Sequence, residues 1–382
     1  MTSAELAAIG TDPETGPAAI VAPGKGGGRS QRGALARYLL VRFFLITPTV
    51  LILVTVVFFL MRVVGDPVTA ALGGRLNPAQ IAERKAAAGL DRPILTQYWE
   101  YLTALLRGDF GRSFTDQRAI SDVVIVNGAA TLELSFWALL VAFVVAIPLG
   151  RYAATHRDRV TDVVLRFAAI LTYAAPVFFV GMLLKLLFAV KLGWLPVAGR
   201  ASAGVELALQ NVSPKTNILV IDAILYGDNS YLIDVLKHAV LPGLALGLLT
   251  AGVFMRLVRI NLIQTLGKGY VEAARARGLR ARTVTGRHAF RNALIPVVTV
   301  MGLQIALLLG GAVLTETTFE WKGIGYQLTQ YLEARDFIAV QGIVTVLAVV
   351  VAVISFLIDV VVALVDPRVK FCWPQCWKPR CR

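Results

Sequence analysis

The stretch Gly269–Gly278, GYVEAARARG, has the residue types and spacing of a short helix that binds another protein. Glu272 lies near its start and Arg277 near its end, where the helix dipole favours a carboxylate and a cation respectively. Ala273 and Ala274 allow another backbone to approach closely, and Gly278 suits the left-handed conformation that closes a helix. The chemistry that these residues predict is protein docking.

One side of the predicted helix carries Tyr270, Val271 and Ala274, which stand at positions i, i+1 and i+4. A rigid, capped helix with small residues suits a docking element better than a passive linker. The competing interpretation is an ordinary basic loop. From composition alone, the two interpretations have equal weight.

Catalytic motifs do not stand out in the rest of the chain. We find no catalytic triad, HExxH motif or paired carboxylates in a credible setting, and His156, His238 and His288 lie in or beside loops without partners. The stretch 24–30, GKGGGRS, lacks the GxxxxGK[ST] spacing of a phosphate loop, and no strand precedes it. We therefore expect a chain that is not an enzyme and that binds no cofactor.

Cys372, Cys376 and Cys381, with two tryptophans between them, are the only cysteines in the chain. A zinc or iron–sulfur site usually needs four ligands, and no histidine is nearby. An amphipathic end at the membrane interface is the favoured interpretation, and a metal site is the less favoured alternative.

Ionisable residues inside apolar runs are functional candidates by default. They are Glu133, Lys185, Arg256, Arg259 and Asp359. None stands at mid-membrane depth, where a proton relay or an ion site is expected. The sequence therefore favours structural pairing for all of them.

The elements that position these residues are apolar runs long enough to cross a membrane. The chain is 57% hydrophobic and 16% charged, with a mean hydropathy of +0.68, whereas soluble domains have roughly 45–50% apolar and about 25% charged residues. A spanning helix needs roughly 20 apolar residues. The runs that we predict as six transmembrane helices of an all-α integral membrane protein are Tyr38–Met61, Ala130–Ala154, Val163–Val190, Ala239–Ile263, Ala293–Thr315 and Ile338–Val365.

The basic residues behind the net charge of +14 cluster in alternate connections between the apolar runs, as in a membrane protein. The charge therefore does not indicate nucleic-acid binding. Short loops rich in Lys and Arg stay in the cytoplasm, and the basic segments alternate with the mixed ones. This places both termini in the cytoplasm. The predicted parts are a disordered tail 1–37, a six-helix domain 38–366 with an extracytoplasmic segment 62–129 and a cytoplasmic loop 264–292, and a basic tail 367–382.

The outer segments contain further elements. Asn77-Pro78 predicts a helix start, with Asn as the cap and Pro at the first position. Apolar residues between Tyr98 and Leu106 form one face, which we expect on the membrane surface or against other helices. The loop 317–337 and its flank carry Glu316, Glu320 and Trp321, which, with Glu133, are candidates for the translocation path or an outer contact.

The loop resembles the EAA loop of permease subunits in bacterial ABC importers. Glu272-Ala273-Ala274-x3-Gly278 matches the first half of that motif, while Leu294-Ile295-Pro296 stands later than the general pattern places the second half. The later position, and further segments over residues 38–371, resemble the dipeptide/oligopeptide branch of that family. These segments are Gly65-Asp66-Pro67, LDRPI, QYWEYL, RGDFGRSF, ATLELS, LGWLPV, LLGGAVLTET and VDPRVK.

The resemblance implies a permease subunit in the cell membrane of a bacterium, paired with a homologous second permease. Two cytoplasmic ATPase domains, which hold ATP and magnesium, would contact Tyr270, Glu272, Ala273, Ala274, Arg277 and Gly278. An extracytoplasmic binding protein would deliver a peptide to the outer segments, with the region 78–107 and the loop 316–336 as candidate contacts.

Three alternatives stay open. Relatives in the peptide branch also carry nickel chelates or glutathione, so the resemblance leaves the substrate class open. A proton-coupled secondary transporter would need ionisable groups at mid-membrane and often has repeats. A membrane-embedded enzyme would need convergent catalytic groups, and the sequence shows neither pattern.

Overall fold

The computed structural model describes residues 28–365, except 73–75, 212, 214, 295, 299, 301–303, 305–307 and 309–311. Within these ranges the chain is helical, and one isolated antiparallel bridge joins Arg112 and Ala119. The named helices are α1 (Gly28–Val64), α2 (Pro67–Leu72), α3 (Pro78–Ala87), α4 (Ile94–Leu106), α5 (Ile120–Thr155), α6 (Val160–Ala174), α7 (Val177–Leu184) with a π-helical end (Lys185–Lys191), α8 (Ala203–Leu209), α9 (Leu219–Tyr226), α10 (Asn229–Leu266), α11 (Gly269–Ala276), α12 (Ala281–Thr283) with a π-helical end (Val284–Phe290), α13 (Val313–Phe319), α14 (Ile324–Glu333) and α15 (Phe337–Val365).

Four of these helices are long and apolar enough to cross a membrane: α1, α5, α10 and α15. A fifth span results if Val160–Ala174 and Val177–Lys191 count together, although they meet at a bend of 102°. The all-α membrane class is therefore confirmed with four or five candidate spans. The predicted fifth run, Ala293–Thr315, lies largely outside the described residues, so the number six and the cytoplasmic termini remain predictions.

The bend replaces the single helix predicted for Val163–Val190. Ala175 is extended, with φ −74° and ψ 133°, and Pro176 caps α7. Proline has no backbone N–H to donate, and it disfavours the helical conformation of the residue before it. A bend is also what a proline inside an apolar run predicts, and the structure confirms it at Pro176.

The first helix begins at Gly28, well before the predicted boundary at Tyr38. The rest of the predicted N-terminal tail, residues 1–27, and the predicted C-terminal tail 367–382 lie outside the described residues.

The centre of the molecule is the contact between α5 and α10. Alanines at helical spacing on α5, from Ala130 to Ala146, are fully buried. A Cβ at Gly247 of α10 would lie 2.7 Å from the Cβ of Val141, and one at Gly150 of α5 would lie 2.9 Å from the carbonyl oxygen of Met255. Small residues therefore bring the two backbones together, as in other membrane helix pairs.

The outer helices α3 and α4 form as predicted, α3 from its cap and α4 from the helical spacing of its apolar residues. The Asn77 side chain accepts a hydrogen bond from the Gln80 N–H, and the Gln80 side chain accepts one from Asn77. One face of α4 packs against two spans: the ring of Tyr98 lies 5.2 Å from that of Phe58 on α1, and the hydroxyls of Tyr101 and Thr345 on α15 are 2.7 Å apart.

Candidate functional site

The predicted docking helix is present as α11, with Glu272 in its first turn and Arg275 in its last. Arg277 caps its C-terminus, and Gly278 then adopts the left-handed conformation, with φ +73°. The built Cβ of Gly278 meets no atom within 4 Å. Glycine is therefore required here by the backbone conformation and not by crowding.

The inner face of α11 is anchored to the membrane helices. Val271 is 0% and Ala274 6% exposed. They share a hydrophobic cluster with Leu262 of α10, Ala154 of α5 and Ala293, to which Val284 and Ala289 of the following loop also belong. The predicted common side of Val271 and Ala274 is therefore the side that packs against the protein.

Tyr270 departs from this pattern. Its ring is 46% exposed, and its hydroxyl accepts a hydrogen bond of 3.0 Å from the side-chain amide of Asn292. This bond ties the first turn of α11 to the helical segment that follows the loop. The residue therefore lies at the edge between the buried and the exposed face.

The outer face of α11 is free for contact. Glu272, Ala273, Arg275, Arg277 and Gly278 are all exposed. Within the described part of the chain, the side chain of Glu272 forms no ion pair or hydrogen bond. The exposed face of the helix is thus a small-residue surface with an acid near one end and cations near the other. Its buried face holds it against the membrane helices.

Three of the four predicted outer residues, Glu133, Glu316 and Trp321, lie in one buried cluster. Glu316 is 0% exposed, and its carboxylate accepts hydrogen bonds from the Thr131 hydroxyl at 2.7 Å and from the Tyr326 N–H at 2.9 Å. The Thr131 hydroxyl in turn accepts one from the Ile324 N–H at 2.9 Å. A Cβ at Gly323 would collide with the Glu316 carboxylate, so the turn before α14 closes directly over it.

Glu133 pairs with Arg200, a partner that the sequence did not identify. The Arg200 guanidinium donates to the Glu133 carboxylate at 2.5 Å, and the N–H groups of Leu219 and Val220 donate to it at 3.2 and 3.3 Å. The structural pairing predicted for Glu133 is confirmed. The pair fastens the second outer segment to α5.

Trp321 completes the cluster. It is 0% exposed, its indole N–H donates to the Ala130 carbonyl at 2.8 Å, and the Arg200 guanidinium lies 5.6 Å from its ring centroid. Glu320 differs from the other candidates because it is exposed, with a left-handed backbone at φ 51°. Of the four predicted outer residues, only Glu320 is free to meet another molecule.

Other ion pairs occupy most of the remaining charged residues in the apolar runs. Arg259 binds Asp162 through two hydrogen bonds of 2.6 and 2.7 Å, and Arg42 lies 3.3 Å from Asp359. Lys185 donates to the Thr318 carbonyl at 2.7 Å. Pairing is therefore confirmed for these residues. For Arg256 the predicted pairing was wrong, because its exposed side chain forms no hydrogen bond or ion pair among the described residues.

The sequence also missed Asp336, which is fully buried and accepts hydrogen bonds from the Ser113 hydroxyl at 2.9 Å and from the Phe114 and Thr115 N–H groups at 2.7 and 2.9 Å. An acid in a short outer loop gives no sequence signal of burial. Its partners lie in or directly after the RGDFGRSF segment, and the resemblance of that segment to the peptide branch was the only sequence feature that marked this region.

Metal ions need groups of ligand side chains such as His, Cys, Asp and Glu. Among the described residues, no group of three or more His, Cys, Asp or Glu side chains could hold a metal ion. Cys372, Cys376 and Cys381 lie outside those residues.

Comparison with known proteins extends over almost the whole described chain. Residues 146–371 match the family described as binding-protein-dependent transport system inner membrane component, and residues 35–135 match the N-terminal domain of such membrane components. The chain is similar to the di/tripeptide transport system permease protein DppB of Pseudomonas aeruginosa, with 37% identity over 86% of this chain and 97% of that protein.

Two further relatives have different printed substrates. The dipeptide transport system permease protein DppB of Escherichia coli K12 is 36% identical over 88% of this chain and 99% of that protein. The glutathione transport system permease protein GsiC of Salmonella typhi is 32% identical over 88% of this chain and 100% of that protein. A solved structure of the MetNI methionine ABC transporter is more distant, with a TM-score of 0.48 and 16% identity over 64% of this chain and 96% of that chain. The family matches span both halves of the membrane domain and include α11, and they show that the chain belongs to the inner membrane component family of binding-protein-dependent transport systems.

Proposed function

We propose that this protein is the permease subunit of an ATP-driven peptide importer and that α11 couples it to separate ATPase subunits. The observation that carries the proposal is the division of α11 into two faces. Val271 and Ala274 are buried against the membrane helices, whereas Glu272, Ala273 and Gly278 are exposed and unused by the chain. The family membership supplies the transport context.

The inner face explains how a push on α11 reaches the membrane. An eight-residue helix is marginally stable alone, so α11 keeps its position through the cluster that it shares with α5 and α10. When ATPase subunits close and displace the outer face, the inner ends of both spans follow. The tight α5–α10 contact then carries the displacement toward the outer side as one rigid unit.

The partners follow from this role. A homologous second permease completes the translocation path across the bilayer, and two ATPase domains on the cytoplasmic side bind ATP and magnesium. The protein itself holds no cofactor. The cell membrane of a bacterium, with both termini of the chain in the cytoplasm, is the expected location.

A binding protein would deliver the peptide to the outer side. The α4 helix is fixed to two spans by Tyr98 and Tyr101, while Leu95, Trp99 and Leu106 on its other side are 75%, 68% and 88% exposed. Aromatic and aliphatic anchors of this kind are typical of protein interfaces. With the exposed Glu320 in the loop 316–336, they form the surface that we assign to the binding protein.

Substitution of Glu272 by lysine tests the coupling role. The residue is exposed and has no partner among the described residues, so the variant inserts and folds normally. We expect it to lose peptide uptake and substrate-stimulated ATPase activity in the assembled complex. Asp122→Lys is the matched control and transports normally, because Asp122 is exposed in the first turn of α5 and lies outside both candidate contacts of the binding protein. Full transport by Glu272→Lys would disprove coupling through this face.

The substrate class rests on the relatives, whose printed substrates include dipeptides and glutathione. Uptake of a labelled dipeptide, with its binding protein present, should be inhibited by unlabelled dipeptides. Inhibition by glutathione alone would assign the chain to a glutathione system. Copurification with an ATPase that carries a phosphate loop would support the importer mechanism in either case.

A further inference from the structure

A cavity of about 810 Å³ opens between α6 and α10, on the side of the membrane domain that carries α11. Its walls are mostly apolar and include Ile170, Tyr173 and Val253. Three cations line it together: Arg166 from α6, and Arg256 and Arg259 from α10. No described residue that lines the cavity is acidic.

The cations outnumber the acids that face them. Asp162 at the start of α6 is the carboxylate beside the cluster, and both of its oxygens are bound by Arg259. The backbone N–H of Asp158 also donates to this carboxylate at 3.0 Å, and Arg166 lies 3.7 Å from it. The exposed Asp158 carboxylate also acts on the charge of Arg259, but it pairs with Arg157 at 3.1 Å. Two carboxylates therefore face four guanidinium groups, which leaves an excess of positive charge at the cavity.

Arg256 carries the unbalanced charge. Its side chain is exposed, and it forms no hydrogen bond or ion pair within the described part of the chain. An arginine presents a planar fork of donors that matches an oxyanion such as phosphate. The apolar walls next to it suit a molecule that joins an anionic group to a hydrocarbon body.

The depth of Arg256 matches the boundary between hydrocarbon and headgroups. Residues 239–255 of α10 carry no charge, and at 1.5 Å per residue they cover about 26 Å. This length approaches the roughly 30 Å hydrocarbon core of a bilayer. Arg256 is the first charged residue after this stretch, followed by Arg259.

We propose that this cavity binds the phosphate group of an anionic phospholipid from the inner leaflet, with Arg256 as the main ligand and its acyl chains against Ile170 and Val253. Basic pockets between membrane helices on the cytoplasmic side are known to hold such headgroups. The proposal does not depend on the transported substrate, because the ligand comes from the bilayer itself.

Lipid binding to the purified full-length chain in a zwitterionic detergent tests the proposal. We expect radiolabelled phosphatidylglycerol to bind more tightly than phosphatidylcholine. Arg256→Gln should weaken phosphatidylglycerol binding about tenfold, since it removes a charge-assisted hydrogen bond. Arg256→Lys keeps the charge and should retain part of the affinity, which separates a lost ligand from a misfolded protein.

Arg159→Gln is the matched control, because Arg159 is an exposed cation at the start of α6, the other helix beside the cavity, and does not line the cavity. It should leave the affinity unchanged. Equal losses in Arg159→Gln and Arg256→Gln would show general surface attraction and overturn the proposal. Equal binding of the two lipids would also overturn it, as would displacement of phosphatidylglycerol from the cavity by a dipeptide with a free carboxylate, which would assign the site to the substrate.

Discussion

Replacing Gly323 by alanine tests whether the turn before α14 is closed against the Glu316 carboxylate. A Cβ at this position would collide with that carboxylate. The carboxylate cannot move away freely, because Thr131 and the Tyr326 N–H hold it in a fully buried site. The backbone of Gly323 has φ −90°, which alanine adopts without strain. The cost of Gly323→Ala is therefore steric, about 1–3 kcal/mol for an overpacked site.

Glu316→Ala gives the complementary perturbation. It removes the carboxylate and leaves the Thr131 hydroxyl and the Tyr326 N–H without their acceptor. Each unsatisfied buried group costs about 1–3 kcal/mol, so the variant should lose about 2–6 kcal/mol. It also empties the space that the alanine at 323 needs. In this background, Gly323→Ala should cost less than about 0.5 kcal/mol.

Thermal unfolding of the four full-length proteins in one detergent measures the coupling. For a chain of 382 residues, 1 kcal/mol corresponds to a shift in Tm of roughly 1–2 °C. Gly204→Ala in α8 is the control, because its added Cβ meets no atom within 4 Å. If Gly323→Ala lowers Tm equally in both backgrounds, the carboxylate does not pack against the turn and the assignment of the cluster fails.

Three further predictions concern the other charged and special residues. Arg259→Leu leaves the buried Asp162 carboxylate without the arginine that binds both of its oxygens, and should lower the free energy of unfolding by about 3–5 kcal/mol. In thermal unfolding, a second substitution, Asp162→Asn, should recover part of this stability. No recovery would contradict the pairing. Burial, and then the hydrogen bond and charge of Asp116, raise the pKa of Tyr331 from 10.0 to about 12. Between pH 10 and about 12 only the unfolded state has lost this proton, so the stability of the folded protein should fall with rising pH. The thermal unfolding midpoint should fall less across that range in Tyr331→Phe. At Gly278, asparagine tolerates the left-handed backbone better than alanine, and valine is the worst; stimulated ATPase activity should decrease in that order, and equal activity of all three variants would contradict a conformational role.

The local elements of this fold could be predicted from short stretches of sequence. The start of α3 follows from Asn77-Pro78, and the end of α11 follows from Gly278, because capping and left-handed closure depend on neighbouring residues alone. The bend at Ala175-Pro176 likewise follows from Pro176 alone, because proline lacks a backbone donor and disfavours the helical conformation of the residue before it.

The partners of buried charges could not be predicted. Glu133 and Arg200 are separated by 67 positions, and Thr131 and Glu316 by 185. Hydropathy and helical periodicity describe one segment at a time and do not show which segments contact each other. The sequence therefore identified Glu133 and Glu316 as unusual, but only the structure shows that the chain itself satisfies them.

Glu133, Glu316 and Glu272 have different environments, and these decide whether a substitution at each affects folding or a contact with another subunit. Glu133 and Glu316 are buried, so each must recover its desolvation through several donors, and a change there acts first on folding. Glu272 is exposed and without a partner among the described residues, so its contribution to folding is small. A loss of transport in Glu272→Lys with unchanged Tm therefore has to arise in a contact with another subunit, whereas a loss in Glu316→Ala does not distinguish folding from transport. For this reason the exposed face of α11, and not the buried outer cluster, is where mutagenesis can identify the partner of this protein.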